Sequence, residues 1–139
     1  MRTPALPIRN EPPAIGEEQI AALVDTFYAR VRQDEILGPI FQKAIGDEWG
    51  PHLERMRAFW SSLLLFSGRY KGNPMIKHLM LLPRIGQQHF ERWLNLWRQT
   101  AAELLPPPAA AIFVSRAESI AERLLSAADQ HHGTFVTHA

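Results

Sequence analysis

The chain has 139 residues and a formal net charge of +1. That is the size of one domain, and it offers no electrostatic reason to propose nucleic acid or an anionic membrane as a partner. Its 46% hydrophobic and 21% charged residues are those of an ordinary soluble globule. With no cysteine, it has no disulfides, thiolate metal sites or iron–sulfur clusters.

Residues 1–15 hold four prolines among scattered charges and read as a Pro-rich extended arm. The arm has no apolar run long enough for a signal peptide, and no later stretch approaches the length of a membrane span. The expectation is a cytoplasmic protein with one domain over residues 16–132 and a short tail over 133–139. From Gly16 onward, Ile20, Leu23, Val24, Phe27 and Val31 form one stripe at helical period, with Tyr28 beside it. Gly38-Pro39 reads as the stop of this helix. The connector IFQKAIGDEWG then places Phe41 between two helices.

A second helix is expected to start between Asp47 and Pro51, since proline is tolerated in a first turn. His52, Met56, Phe59 and Leu63 share one of its faces, with Trp60 and Leu64 adjoining, and Gly68 reads as its end. After the polar loop SGRYKGNP, residues 74–79 have room for one short helix. Helical signals return at Gln87, with Phe90, Trp93, Leu94, Trp97, Ala101 and Leu104 on the buried face. The triple proline at 106–108 separates this helix from the last, which is expected to run to about His131 with Gly133 as its cap. No segment alternates at period two, so the pattern predicts an all-α fold of four long helices and one short one.

The six histidines fit none of the usual catalytic or metal templates. His-Glu-x-x-His, Glu-x-x-His and any recognisable nucleophile turn are absent, as are a P-loop and Gly-x-Gly-x-x-Gly. His131, His132 and His138 fall in the expected solvated tail. His52, His78 and His89 lie on or beside apolar helix faces. His78 sits within IKHLMLLP, where a neutral imidazole needs a partner for its nitrogens. Singly, each of the three is most simply a satisfied core or surface histidine.

The combination says more. Tyr28, His52 and Trp93 come from three helices, each on or beside an apolar stripe, and each carries a polar hydrogen. Buried Tyr and Trp require hydrogen-bond partners. Donors converging in an apolar cavity, with one remote imidazole, match what iron porphyrin needs.

At this point the chain resembles the truncated haemoglobins, specifically their third group, from about Ile15 to His132. The resemblance is carried by FYARVRQDEILGPIF (27–41), AIGDEWGPHLERMRAFWSSLLL (44–65), RYKGNPMIKHLMLLP (69–83) and HFERWLNLW (89–97). The Phe-Tyr pair followed by LGPIF, the Trp-x-x-His helix start, the Phe-Trp pair and the Pro-x-x-Lys-His-Leu run stand in the family's order. The Gly-Gly pairs common in the first two groups are absent. The resemblance implies the truncated globin fold, a 2-over-2 helical sandwich around haem b. It makes His78 the proximal iron ligand, and Tyr28, His52 and Trp93 the distal polar residues. Phe41, Met56, Phe59 and Trp93 become pocket walls, and Lys77 and Arg84 partners for the haem propionates. The implied partners are dioxygen, nitric oxide and carbon monoxide, bound by a monomer.

Two departures keep alternatives open. His89 stands where a bulky apolar residue is expected, so it is a rival proximal ligand. The interval from His78 to Trp93 is one residue longer than expected, so Trp97 is a rival for the pocket. The function also has two readings. One is a tight binder of diatomic ligands. The other is a haem enzyme, peroxidase-like or a nitric oxide dioxygenase, which needs a separate reductase because the chain has no flavin or nicotinamide motif. A helical module without cofactor is the bland third.

Overall fold

The structure is a computed structural model that describes residues 15–71 and 86–138, with side chains described as far as Ser126. His78, Lys77 and Arg84 lie outside the described residues, as does the short helix expected at 74–79. The described residues form five helices in order: α1 Glu17–Gln33, α2 Leu37–Ile45, α3 Trp49–Leu65, α4 Gln87–Leu104 and α5 Pro107–His138. Among the described residues there is no strand. No helix among them is long and apolar enough to cross a membrane.

Helix α1 forms where the periodicity predicts. Its stripe of Ile20, Leu23, Val24, Phe27 and Val31 is fully buried. At its start the Gly16 N–H donates to Oε1 of Gln19 at 2.8 Å, which satisfies one backbone donor. Glu17 and Glu18 in the first turn and Arg30 and Arg32 in the last complement the helix dipole.

The segment after α1 corrects the sequence reading. Gly38-Pro39 does not stop a helix; both residues lie in the first turn of α2, and the expected connector around Phe41 is that helix. Two local facts explain this. Asp34 ends α1 in extended backbone, and its Oδ2 accepts the N–H groups of Ile36 and Leu37 at 3.0 and 2.8 Å. Pro39 in a first turn forfeits an N–H that has no helical partner anyway. Gly38 is needed for close approach: a Cβ there would lie 2.8 Å from the Arg32 carbonyl oxygen.

Helix α3 also ends earlier than expected. The sequence pointed to Gly68, but the left-handed cap is Phe66, with φ 57° and its ring 87% exposed. A non-glycine residue in this region costs roughly 1–2 kcal/mol, and glycine is the usual occupant. We expect Phe66→Gly to stabilise the protein by about 0.5–1 kcal/mol, the left-handed strain being partly offset by glycine's freer unfolded chain. Urea unfolding measures it, and a midpoint that stays put or falls contradicts the expectation.

Helix α5 starts at Pro107 and continues to His138 through Gly133, so the expected glycine cap and frayed tail are replaced by helix. Helix α1 is central and packs on α2, α3 and α4, while α4 packs along α5. The result is the 2-over-2 sandwich, α1 with α3 and α4 with α5. Its core gathers Phe27, Trp60, Trp97 and Phe113. Polar ties reinforce the packing: within one layer Arg57 of α3 holds Asp25 of α1 through two bonds of 2.9 and 3.0 Å, and between the layers Arg92 Nε of α4 donates to Oδ2 of Asp34 at the end of α1 at 2.7 Å. The Arg92 guanidinium holds the Asp34 carboxyl below the usual carboxylate range.

Candidate functional site

Tyr28 is next to Phe27 on α1 and one residue off the buried stripe. Its ring meets His52 of α3 edge-on, with centroids 5.0 Å apart, and faces Phe41 of α2 at 6.2 Å. The short α1–α2 turn built on Asp34 and Gly38 is what brings Phe41 this close. Tyr28 is 5% exposed. Burial pushes its phenol well above the ordinary range, so the hydroxyl keeps its proton at physiological pH and remains a donor.

His52 is placed by Trp49, three residues earlier on the same face of α3. The two rings meet edge-on at 5.7 Å, and Trp49 also touches Tyr28 at 6.2 Å. Trp49 is itself fixed on two sides. Its Nε1 donates to Gln42 Oε1 at 3.0 Å, and the Arg32 guanidinium lies 4.6 Å from its ring centroid, a cation–π contact. Sequence reading did not single out Trp49 as a site residue. Its spacing from His52 was the available signal.

Trp93 of α4 reaches the same region through Phe27. Phe27 packs edge-on against Tyr28 at 4.9 Å and against Trp93 at 5.7 Å. Trp93 is half-buried, while Trp97, one turn later, is 1% exposed. Trp97 Nε1 donates to the Phe113 carbonyl at 3.1 Å. The donor of Trp97 is therefore spent inside the core, whereas Trp93 packs on Phe27, which in turn packs on Tyr28. Phe41, Met56 and Phe59 are partly buried apolar residues packed against the core. Tyr70, in the segment after α3, packs edge-on to Phe59 at 5.4 Å, and its hydroxyl is buried with no hydrogen-bond partner among the described residues.

His89 has a structural explanation. It is the third residue of α4, and its Nδ1 accepts the Gly86 N–H at 2.8 Å. A neutral imidazole that accepts at Nδ1 carries its proton on Nε2, which then has no lone pair for a metal. The basic residues of the loop divide: Arg69 pairs with Glu17, while no ion pair is seen for Lys71 among the described residues.

A protonated phenol and an imidazole thus meet in an apolar region walled by Phe27, Phe41 and Trp49, with the Trp93 indole on the other side of Phe27. An anionic or polar small ligand entering it would meet donors in a low-dielectric setting.

Comparisons with known proteins agree. The model of the bacterial-like globin family matches residues 13–124. Group 3 truncated hemoglobin ctb of Campylobacter jejuni is 40% identical over 110 residues, covering 77% of this chain and 86% of that protein. Group 2 truncated hemoglobin YjbI of Bacillus subtilis is 30% identical over 82 residues, covering 59% and 61% respectively. The crystal structure of the group III truncated hemoglobin from Campylobacter jejuni superposes with a TM-score of 0.77 at 38% identity, over 81% of this chain and 91% of that one. The helix order, the glycine-proline turn that opens a helix and a match along most of the domain have one common account: this chain belongs to the bacterial-like globin family, and within it to the group III truncated haemoglobins.

Proposed function

We propose that the protein binds haem b and holds diatomic ligands tightly, with His78 as proximal iron ligand and Tyr28, His52 and Trp93 as distal residues. The residues present fit such a group. Phe41, Met56 and Phe59 offer partly buried apolar surface for a porphyrin face. The Tyr70 hydroxyl, buried without an acceptor, suits the anionic edge of such a cofactor. Lys77 and Arg84 complete the reading as partners of the propionates.

Haem supplies iron with one open position for a diatomic ligand. The chain does the rest. In this reading His78 would present a neutral ring nitrogen to the iron, and its other N–H would donate to a carbonyl or water to orient the ring. Tyr28 donates its hydroxyl proton towards negative charge on the ligand, and the Trp93 indole N–H is the second donor. Each such bond in a dry site is worth roughly 1–3 kcal/mol. Phe27 packs against both donors, and the Trp49 ring, held by Arg32, lies beside His52, whose role is either to gate the pocket or to coordinate ferric iron directly.

The observation that carries this reading is the edge-on Tyr28–His52 pair at 5.0 Å with a phenol that stays protonated. It favours slow release over transport. We expect Tyr28→Phe in haem-loaded protein to speed oxygen release by about 10-fold or more, since 1.4 kcal/mol is tenfold. Stopped-flow displacement by carbon monoxide measures it, and a change under twofold would remove Tyr28 from the distal role.

The enzyme reading, peroxidase-like or nitric oxide dioxygenase with a separate reductase, uses the same donors. Turnover no faster than that of free haem would eliminate it. In either case the protein acts as a cytoplasmic monomer.

A further inference from the structure

Three of the four tryptophans form one stacked column. Trp93 and Trp97 lie on consecutive turns of α4 with ring centroids 6.1 Å apart and planes 6° from parallel. Trp97 then stacks on Trp60 of α3 at 4.8 Å and 19°. The other aromatic neighbours of Trp97 do not share this geometry: Phe27 meets it at 84° and Phe113 at 56°. Aromatic packing alone accepts edge-on and stacked contacts equally. Near-parallel stacking of indoles, close for Trp60–Trp97 and offset for Trp93–Trp97, does something edge-on contacts do not, because it couples the faces of adjacent rings and lets a missing electron pass between them.

The burial of the column runs in one direction. Trp93 is half-buried beside Phe27, while Trp97 and Trp60 are 1% and 3% exposed. Trp97 donates its N–H to the Phe113 carbonyl, which is too weak a base to take the proton. An oxidised Trp97 therefore stays a radical cation, which passes its charge on readily, instead of relaxing to a neutral radical. Tyr70 is linked to Trp60 through Phe59 at 5.7 and 5.4 Å. Among the described residues its buried hydroxyl has no acceptor for the proton a tyrosine must lose on oxidation, so it makes a poor end point.

We propose that the Trp93–Trp97–Trp60 column relays electrons one at a time into the ligand pocket when the haem-loaded protein meets hydrogen peroxide. This rests on the haem reading above and adds a redox function to it. Over one cycle hydrogen peroxide takes up two electrons and two protons and becomes two waters. Each electron leaves Trp93 and is replaced in turn from Trp97 and Trp60, so the one-electron deficit moves into the core. Two ascorbate monoanions restore the balance, each giving one electron and one proton and becoming an ascorbyl radical.

The test is freeze-quench electron paramagnetic resonance of haem-loaded protein after one equivalent of hydrogen peroxide, with and without ring-deuterated tryptophan. The ferrous–CO spectrum is recorded first, so failure to bind haem is seen separately. The expected result is a radical signal that narrows on tryptophan deuteration and disappears with ascorbate. Trp97→Phe, which keeps an aromatic ring but not an oxidisable one, should lower its yield at least fivefold with the CO spectrum unchanged. Trp60→Phe should shorten its lifetime. Cooperative thermal melts of both variants exclude misfolding, and if Trp97→Phe fails to fold the Trp60→Phe lifetime decides. A signal insensitive to tryptophan deuteration, or unchanged yield and lifetime in the folded variants, would overturn the proposal.

Discussion

Replacing His78 with alanine is expected to abolish the histidine-ligated ferrous–CO absorption spectrum that the haem-loaded protein shows, and added imidazole is expected to restore it. The reasons converge from both sides of the residue. His78 lies in the Pro-x-x-Lys-His-Leu run of a chain that is 40% identical to a group 3 truncated haemoglobin. Its rival is engaged elsewhere, because His89 accepts the Gly86 N–H at the start of α4. His89→Ala should leave the CO spectrum in place and cost only about 0.5–2 kcal/mol of stability through the lost cap. The reverse pattern, with the spectrum kept in the His78 variant and lost in the His89 variant, would reassign the ligand. Loss in neither would place the iron on a residue outside both.

Trp97→Ala is expected to be the most damaging change in the core. The side chain is 1% exposed and stacks on two indoles while Phe27 and Phe113 close it in. Truncating a buried aromatic of this size costs about 3–5 kcal/mol, and the Phe113 carbonyl loses its donor, about 1 kcal/mol more. Against a total stability of roughly 5–15 kcal/mol, the variant is expected to melt at least about 10 °C lower, or not to fold. Calorimetry of wild type and variant gives the answer. A loss under about 1 kcal/mol would mean that the site collapses around the gap.

Much of this architecture is legible in the residues because hydrophobic period survives tertiary context. The α1 stripe reads correctly, as do Phe90, Trp97 and Ala101 on the buried face of α4, but Leu104, expected on that face, is 42% exposed at the end of the helix. The His52–Phe59 face of α3 is only partly buried, and Trp60 beside it lies deeper. Punctuation failed more broadly. Gly38-Pro39 serves equally as a stop and as a first turn, and only the Asp34 side chain and the crowding at Arg32 decide between them. Phe66 gives no hint of a left-handed cap, since nothing in a phenylalanine favours φ 57°. Gly133 lies inside a helix because one glycine costs only about 1 kcal/mol in a long one.

The site divides in the same way. Tyr28, His52 and Phe41 could be listed from pattern and resemblance, and they meet. The Trp49–Gln42–Arg32 support and the Trp60–Trp97 stack depend on how α1, α2, α3 and α4 cross, which spacing within one helix does not contain. His89 is the opposite case, where a residue type suggested chemistry and the fold uses it to close a helix start.

The stacked column also decides how the molecule responds to ultraviolet light. Trp60, Trp93 and Trp97 are in ring contact in one column, and Trp49, the remaining tryptophan, lies against Tyr28 and His52. Excitation absorbed by any of the three is shared within the stack, so its emission belongs to the column and not to one residue. The chain thus carries a built-in reporter whose colour and intensity change when α3 and α4 part and Trp60 leaves the stack.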